Sequence, residues 1–296
     1  MTAFQDVERD FSSRLLESSQ MLSYDPMTEI DWDAHLPEDQ YGLSPEWSTL
    51  YGTELWDELT EQQRITLTRH EVCSIMSTGI WFEMILQQMI LRDQYVKDPA
   101  NSEFQFALTE VADECRHSIM FARACQKLEI PAYFPHKAVV ELARVFKSVA
   151  GGEVAYAGTL VAEEVLDVMQ RDFMRDDRVL DIVRTGSKIH VVEESRHMKF
   201  AREETKAHVQ GIGPLQRQAS ALLVSVVSYA IITSLVSPHV YKAVGIRPRD
   251  GVAAAAANEH RKSMLRNACA GLMAFLDEAG LLTPPAVAVY KRAHML

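Results

Sequence analysis

Two copies of one short motif carry the residues of this chain that are best suited to chemistry. The first copy reads Asp113-Glu114-Cys115-Arg116-His117, and the second reads Glu193-Glu194-Ser195-Arg196-His197. Each copy contains Glu-x-x-His, and on a helix this spacing places the carboxylate and the imidazole next to each other on one face. Mixed carboxylate and imidazole ligands suit iron or manganese. The repeated motif therefore predicts a metal site to which two helices contribute.

A third histidine lies on the same helical face as the second copy. His190 precedes Glu194 by four residues and His197 by seven, so the three side chains would form a column along one helix. A lone histidine in a core usually has an ordinary hydrogen-bond partner, and that interpretation stays open. The column of three favours a metal ligand.

The elements that must position these residues are predicted to be helices. The chain of 296 residues is 47% hydrophobic and shows no regular alternation of apolar and polar residues. Clusters of proline, glycine, aspartate and asparagine interrupt the helical pattern and divide it into segments. Long helices are predicted at about 61–96, 103–129, 153–174 and 178–208, with a shorter helix at 137–149 that crosses between two helical hairpins.

A dimetal site in a four-helix bundle also takes one glutamate from each of two other helices. The predicted helices and loops locate these two glutamates. Residues equally distant from the loop of an antiparallel hairpin meet, since both helices rise equally per residue. This register places Glu83 opposite Glu114. It places Glu163 or Glu164 near Glu194, and we prefer Glu163 because of the residues that share its helical face.

Charged residues inside the motifs could support the metal ligands. Asp113 and Glu193 each precede the histidine of their own motif by four residues, and such acids can accept the N–H of a metal-bound imidazole. Arg116 and Arg196 could neutralise these two acids. Ordinary ion pairs on a helix surface are the alternative.

The predicted fold class is all-α, a four-helix bundle with a dimetal centre, additional C-terminal helices and an N-terminal arm. Residues 1–60 are acidic and weakly periodic, which is typical of an arm that packs on the main helical domain of residues 61–296. The C-terminal part includes an alanine-rich helix predicted at about 252–279.

The charge and the cysteines narrow the class of protein. Aspartate and glutamate (41) outnumber lysine and arginine (30), and the net charge of −11 argues against a uniform basic surface for nucleic acid. The N-terminus is polar and acidic, unlike a signal peptide. The cysteines lack CxxC spacing and predict reduced core thiols in a cytoplasmic protein. They are Cys73, Cys115, Cys125 and Cys269.

One apolar stretch approaches the length of a membrane span. Residues 219–236 contain no aspartate, glutamate, lysine or arginine. Several serines and Thr233 dilute the stretch, and a helix buried on all sides has the same composition. We therefore expect a buried helix and no membrane location.

The motif pair resembles that of ferritin-like non-haem diiron oxygenases. The spacing His-x3-Glu-x2-His, with Glu163 placed 27 residues before His190, is similar to that of the p-aminobenzoate N-oxygenase (AurF) family. The resemblance covers about residues 70–205. It implies two iron ions, with manganese as the other candidate, and O2 as co-substrate. The implied metal ligands are Glu83, Glu114, His117, Glu163, His190, Glu194 and His197.

The resemblance also implies a reaction. Oxygen would pass from a peroxo-diiron intermediate to the nitrogen of an (aryl)amine, giving a hydroxylamine or nitro product. Electrons would come from a separate donor or reductase, because the sequence has no glycine-rich dinucleotide fingerprint. The alternatives are a diiron hydroxylase or desaturase acting on carbon, a ferritin-like metal-binding or ferroxidase protein, and a metal-free helical interaction protein.

Two expectations concern the surroundings of the site. A homodimer is predicted, because the apolar helices are numerous for one bundle. Residues flanking the ligands are predicted to line the pocket for a small-molecule substrate, with plain core packing as the alternative. These residues are Met76, Gly79, Ile80, Phe121, Tyr156 and Thr159.

Overall fold

The computed structural model describes residues 3–296, with side chains from residue 11 onward. The described chain is helical and contains no extended strand, so the predicted all-α class is confirmed. The helices are α1 (Ala3–Met21), α2 (Pro26–Glu29), α3 (Glu54–Glu58), α4 (Glu61–Asp93), α5 (Ser102–Lys127), α6 (Lys137–Val149), α7 (Gly152–Phe173), α8 (Asp181–Gln210), α9 (Pro214–Ser234), α10 (Pro248–Ala257), α11 (Glu259–Glu278) and α12 (Pro284–Arg292).

Four long helices form the bundle. Helix α4 pairs with α5 and α7 pairs with α8, and the two antiparallel hairpins pack against each other. The bounds of these helices agree with the predicted ones to within three residues. Helix α4 begins where Thr60 and Gln63 form a capping box, which satisfies backbone N–H groups of the first turn.

Helix α6 connects the two hairpins and occupies the predicted range. It buries Ala143 and Phe146 and leaves Leu142, Val145 and Val149 exposed. The helix therefore lies on the outside of the bundle with one side packed. The chain then turns into α7 through Gly152, whose φ of 53° lies in the left-handed region that favours glycine.

The segment before α4 packs against the bundle. Leu15, Ile30 and Trp47 belong to the main hydrophobic core, and the indole N–H of Trp47 donates to Oδ2 of Asp172 over 2.8 Å. The side chains of residues 1–10 of the predicted arm lie outside the described residues. The domain boundary at residue 60 stays a prediction.

The prediction of one alanine-rich helix at 252–279 is wrong, because the chain breaks between α10 and α11 at Asn258. This residue has an extended backbone, and its side chain accepts from the N–H of Arg261 as the N-cap of α11. Its Nδ2 also donates to the carbonyl oxygens of Thr49 (3.1 Å) and Tyr51 (2.9 Å). These tertiary hydrogen bonds outweigh the helix propensity of the surrounding alanines.

We expect Asn258→Ala to lower the free energy of unfolding by about 2 to 4 kcal/mol, from one lost helix cap and two carbonyls left without donors. Urea unfolding followed by circular dichroism measures the change. Asn101→Ala is the matched control, because Asn101 is the N-cap of α5 but forms no side-chain capping hydrogen bond. Equal losses in the two variants would contradict this role of Asn258.

The expectation that α9 is buried on all sides is wrong. Within the described residues, Pro214–Val244 is the one segment long and apolar enough to cross a membrane by length and composition, and 44% of its most apolar window is buried. One side of α9 packs on α7 and α12. The other side exposes Leu215, Leu222, Leu223 and Val226.

The cysteines are all free thiols. Cys73, Cys125 and Cys269 are buried as predicted, but Cys115 is exposed. Cys115 directly follows Glu114 on α5, so its side chain points away from the bundle interior. The prediction of four core thiols is therefore wrong for this residue.

Candidate metal centre

Seven side chains from the four bundle helices meet in the interior. Helix α4 contributes one, α5 two, α7 one and α8 three, and each is at most 4% exposed. The structure thus brings together every residue that the sequence predicted as a metal ligand. They are Glu83, Glu114, His117, Glu163, His190, Glu194 and His197.

Glu114 and Glu194 lie between two histidines. Nδ1 of His117 is 3.1 Å from Oε2 of Glu114 and 3.2 Å from Oε1 of Glu194. Nδ1 of His197 is 3.0 Å from Oε1 of Glu114 and 3.2 Å from Oε2 of Glu194. Neighbouring ligands on an octahedral ion with bonds of about 2.1 Å lie about 3.0 Å apart. Each carboxylate therefore directs one oxygen toward His117 and the other toward His197, at separations that metal ligands would have.

His190 is the most unusual of the seven side chains. It is fully buried, yet neither ring nitrogen has a hydrogen-bond partner in the described part of the chain. Its Nε2 faces three carboxylate oxygens, on Glu83 (3.6 Å), Glu194 (3.8 Å) and Glu163 (4.0 Å). Leaving a buried polar group unpaired costs about 1 to 3 kcal/mol, and a metal ion among these atoms would remove that cost.

The carboxylates of the cluster also have oxygens that lack hydrogen-bond partners within the described residues. One oxygen each of Glu83, Glu114, Glu163 and Glu194 is buried without a hydrogen bond. Four carboxylates in one core repel each other unless cations or protons offset their charge. The residues present therefore fit a pair of metal ions.

The pKa values show how the cluster offsets its charge with protons alone. Burial raises the pKa of Glu83 well above its ordinary value, and the charge of Glu114 adds to this effect. Burial also raises the pKa of Glu163, together with the charge of Glu194. Burial opposes the charged form of His117, but hydrogen bonds to Glu114, Glu193 and Glu194 raise its pKa well above the ordinary range. Binding of metal would displace these protons.

Two further acids form hydrogen bonds to two of the imidazoles, and these hydrogen bonds link the two hairpins. We call these acids the second layer. Nε2 of His117 on α5 donates to Oε2 of Glu193 on α8 over 2.8 Å. Nε2 of His197 on α8 donates to Oδ2 of Asp113 on α5 over 3.3 Å. Each acid thus supports the histidine of the other helix and not, as the sequence suggested, the histidine of its own motif, because the facing helix brings that ring closer. Each Nδ1 is left to face the cluster.

The arginines of the motifs and the N-terminal segment close this second layer. Arg116 pairs with Asp113, and Arg196 lies 3.7 Å from the same carboxylate. Arg196 also donates to the carbonyl oxygen of Leu22, and the backbone N–H of Tyr24 donates to Oε1 of Glu193 over 3.0 Å. Backbone groups at residues 22–24 were not predictable as part of the site, because their chemistry is common to every residue.

Glu164, the alternative to Glu163, points elsewhere. The guanidinium of Arg202 donates to both of its carboxylate oxygens over 2.8 and 2.7 Å. The structure therefore places Glu163 in the cluster and gives Glu164 an ordinary ion pair.

Comparison with known proteins adds the family. The model of the family described as P-aminobenzoate N-oxygenase AurF matches residues 5–280, nearly the whole chain. This chain belongs to the AurF family. Its relatives include uncharacterized proteins of Mycobacterium tuberculosis, strains CDC 1551 / Oshkosh and ATCC 25618 / H37Rv, and of Mycobacterium bovis. Each is 25% identical over 232 residues, which cover 76% of this chain and 68% of the relative.

The match confirms the predicted resemblance and with it the ferritin-like helical bundle. The family is one of diiron oxygenases, so the coarse class of enzyme follows from membership. The buried groups of carboxylates and histidines are compatible with the metals of that class.

This AurF-family bundle also holds an acid that the sequence analysis missed. Glu110 is 2% exposed, has one oxygen without a partner, and groups with Glu114 and His197. A signal for it was present in the sequence. Glu110-x3-Glu114-x2-His117 repeats the spacing of the His190 column, so that Glu110 occupies on α5 the place of His190 on α8.

Removing the Glu110 carboxylate should change the pH dependence of stability in protein stripped of metal. Burial raises the pKa of Glu110 from 4.5 to about 8. Between these values the folded state keeps a proton that the unfolded state has lost, so the stability of the wild type falls as pH rises and levels off above about pH 8. Glutamine does not ionise. Glu110→Gln should therefore gain stability over wild type as pH rises, by at most about 5 kcal/mol.

Urea unfolding of chelator-treated protein between about pH 5 and pH 8 tests this prediction. The exposed Glu203→Gln on the same bundle controls for the substitution itself. A difference between Glu110→Gln and wild type that stays constant with pH would contradict a protonated Glu110.

One cavity reaches the cluster and a second lies near it along α4 and α7, and both differ from the predicted pocket. The first, called here the Glu163 cavity, has a volume of about 60 Å³ and lies among α4, α6, α7 and α9 beside Glu163 and Thr159. The second, of about 200 Å³, is lined by Arg92, Asp93, Tyr156 and Thr159 among others. Of the six residues predicted to line a pocket, Thr159 lines both cavities and Tyr156 the second.

The other four predicted pocket residues line neither cavity. Met76 and Phe121 are buried in the core, where the ring of Phe121 packs 5.2 Å from that of His190, and Gly79 lies against Phe121. Ile80 packs against the same core. The prediction followed neighbours of the ligands along the helices. The cavity instead opens toward α6 and α9, which the motifs do not reach.

Proposed function

We propose that this protein is a diiron-dependent, O2-activating N-oxygenase that converts an (aryl)amine to a hydroxylamine or nitro product. The observation that carries the proposal is His190, a fully buried imidazole whose Nε2 faces three carboxylates and whose nitrogens have no hydrogen-bond partner among the residues that the structure describes. Membership of the AurF family supports the reaction class.

The proposed iron ligands are the seven side chains of the cluster. Glu114 and Glu194 would help to hold both ions, and each directs one oxygen to the side of His117 and one to the side of His197. When bound, two iron ions supply the electrons and the binding positions that reduce O2 to a species able to oxidise nitrogen. Iron is preferred over manganese because of this chemistry.

The protein itself would orient the ligands and keep the site dry. Glu193 and Asp113 accept hydrogen bonds from Nε2 of His117 and His197, which fixes the rings with Nδ1 toward the metals. Glu110, whose pKa burial raises to about 8, is suited to hold a proton at its carboxyl group beside Glu114. The apolar walls of the Glu163 cavity would exclude water from the amine.

Four parts of the proposal concern the surroundings of the enzyme. The substrate would be a small molecule, electrons would come from a separate donor or reductase, and the protein would act in the cytoplasm. A homodimer is also proposed, and the exposed apolar residues of α9 support a partner surface.

Single-turnover chemistry tests the function. Protein loaded with ferrous iron without air is mixed with isotopically labelled O2 and a panel of arylamines, and products are identified by mass spectrometry. A labelled hydroxylamine or nitro product supports the proposal. Hydroxylation at carbon would indicate the carbon-directed alternative, and iron oxidation without any organic product would indicate a ferroxidase.

A further inference from the structure

The Glu163 cavity has an unusual chemical character for a pocket beside a charged centre. Aromatic rings of Trp81, Phe82 and Phe146 and aliphatic side chains such as Ile85, Leu142 and Val227 form its walls. Among the described side chains, Glu163 is the one ionisable residue that lines it, and no described lysine, arginine or histidine does so. The hydroxyl of Thr159 is already used, because it donates to the carbonyl oxygen of Ala155 over 3.1 Å.

We infer that this cavity takes an apolar amine that carries no carboxylate or other anionic group, an inference that rests on the proposed function. A carboxylate placed here would lose its hydration and find no cation. It would also lie in the same apolar pocket as the Glu163 carboxyl. A neutral amine carries no charge to desolvate and none to repel the Glu163 carboxyl. Its apolar body would replace water against the walls of the cavity.

Nearby cations do not alter this conclusion. Arg92 donates to the carbonyl oxygen of Lys147 over 2.7 Å, and Lys147 donates to Oε1 of Gln88 over 2.6 Å. Neither side chain lines the Glu163 cavity. Arg92 does line the second cavity, but none of the residues around that cavity is a candidate metal ligand.

The cavity must widen to hold an arylamine. Its volume of about 60 Å³ is below the ~150 Å³ of an engineered apolar cavity that binds benzene. Helices α6 and α9 form the walls outside the bundle, and Cζ of Phe146 on α6 would lie 3.2 Å from a Cβ atom at Gly158 of α7. Displacement of the Phe146 ring toward the solvent side of α6 would open space beside Glu163 without moving a bundle helix.

Matched ligands test the inference directly. p-Toluidine and p-aminobenzoate have nearly the same shape and differ in a methyl group against a carboxylate. Equilibrium dialysis with iron-loaded protein should show that p-toluidine binds at least about tenfold more tightly. Equal or tighter binding of p-aminobenzoate, or binding of neither compound, would overturn the inference.

A cation added to the wall of the Glu163 cavity tests whether the ligand binds there. Leu142 lines the cavity and is 41% exposed, so Leu142→Arg can fold with its guanidinium at the mouth. This variant should shift the preference toward p-aminobenzoate by about tenfold or more. Leu222→Arg is the control, because Leu222 is also 41% exposed but does not line the cavity. An unchanged preference in Leu142→Arg, or the same shift in Leu222→Arg, would place the ligand elsewhere and overturn the inference.

The two proposals fail in different ways. If p-toluidine binds with the expected preference but yields no product oxidised at nitrogen, the proposed reaction fails and the assignment of the cavity stands. If p-aminobenzoate binds and is oxidised in preference to p-toluidine, the N-oxygenase stands and the assignment of the cavity fails.

Discussion

Replacing Glu83 by glutamine should abolish tight binding of one or both iron ions and leave the metal-free protein as stable as wild type. Burial and the charge of Glu114 keep the pKa of Glu83 well above its ordinary value, so without metal its carboxyl group is neutral. Glutamine has the same shape and is also neutral. With metal, however, the variant lacks an anionic ligand. The loss of affinity should exceed the roughly 10- to 100-fold cost of changing a residue that only supports a ligand.

Competition with a chelator measures the iron affinity, and urea unfolding in excess chelator measures the metal-free stability. Glu164→Gln provides a matched control on a neighbouring bundle helix. Glu164 is 9% exposed but pairs with Arg202 through two hydrogen bonds, so this substitution should cost about 1 to 2 kcal/mol of stability and leave iron binding unchanged. Retention of both ions by Glu83→Gln, or a large loss of its metal-free stability, would contradict a ligand role for Glu83.

The second large effect concerns Asp113 and Glu193, whose hydrogen bonds to histidines join the two hairpins. Glu193 accepts from Tyr24 N–H at one oxygen and from His117 Nε2 at the other. The amide of Glu193→Gln has one accepting oxygen, so it can serve only one of these donors. We expect the iron affinity of this variant to fall by about 10- to 100-fold, because the orientation of His117 is no longer held.

A double-mutant cycle in chelator-treated protein shows which histidine Glu193 supports. Glu193→Gln and His117→Ala should be coupled by about 1 to 3 kcal/mol in unfolding free energy, and Glu193→Gln and His197→Ala by much less. Asp113→Asn should show the reverse preference, for His197. Stronger coupling of Glu193 to His197, the histidine of its own helix, would contradict the crossed arrangement.

Much of the bundle was predictable because local and simple geometric rules apply to it. Equal rise along two antiparallel helices was enough to select Glu83 and to narrow the second choice to Glu163 or Glu164, and the residues that share its helical face favoured Glu163. The range of α6 followed from the breaks on either side of it. Within one helix, spacing determines which side chains share a face, and the clusters that include His190 follow that rule.

Features that depend on how helices meet were not predictable from spacing. Asp113 and Glu193 support the histidine of the facing helix, and this choice depends on the distance between α5 and α8. The break at Asn258 depends on carbonyl oxygens of Thr49 and Tyr51, which are distant in the sequence. Glu110 could have been predicted, because its spacing to Glu114 and His117 is the spacing of His190 to Glu194 and His197. Comparing the two helices residue by residue would have identified it.

Anomalous diffraction at the iron absorption edge, from crystals of iron-loaded protein, tests the central claim most directly. The structure predicts two strong peaks inside the bundle, both within bonding distance of Glu114 and Glu194, with His117 and His197 on different peaks and His190 bound to one of them. No peak among these side chains, or iron bound only at the protein surface, would contradict a dimetal centre in this protein.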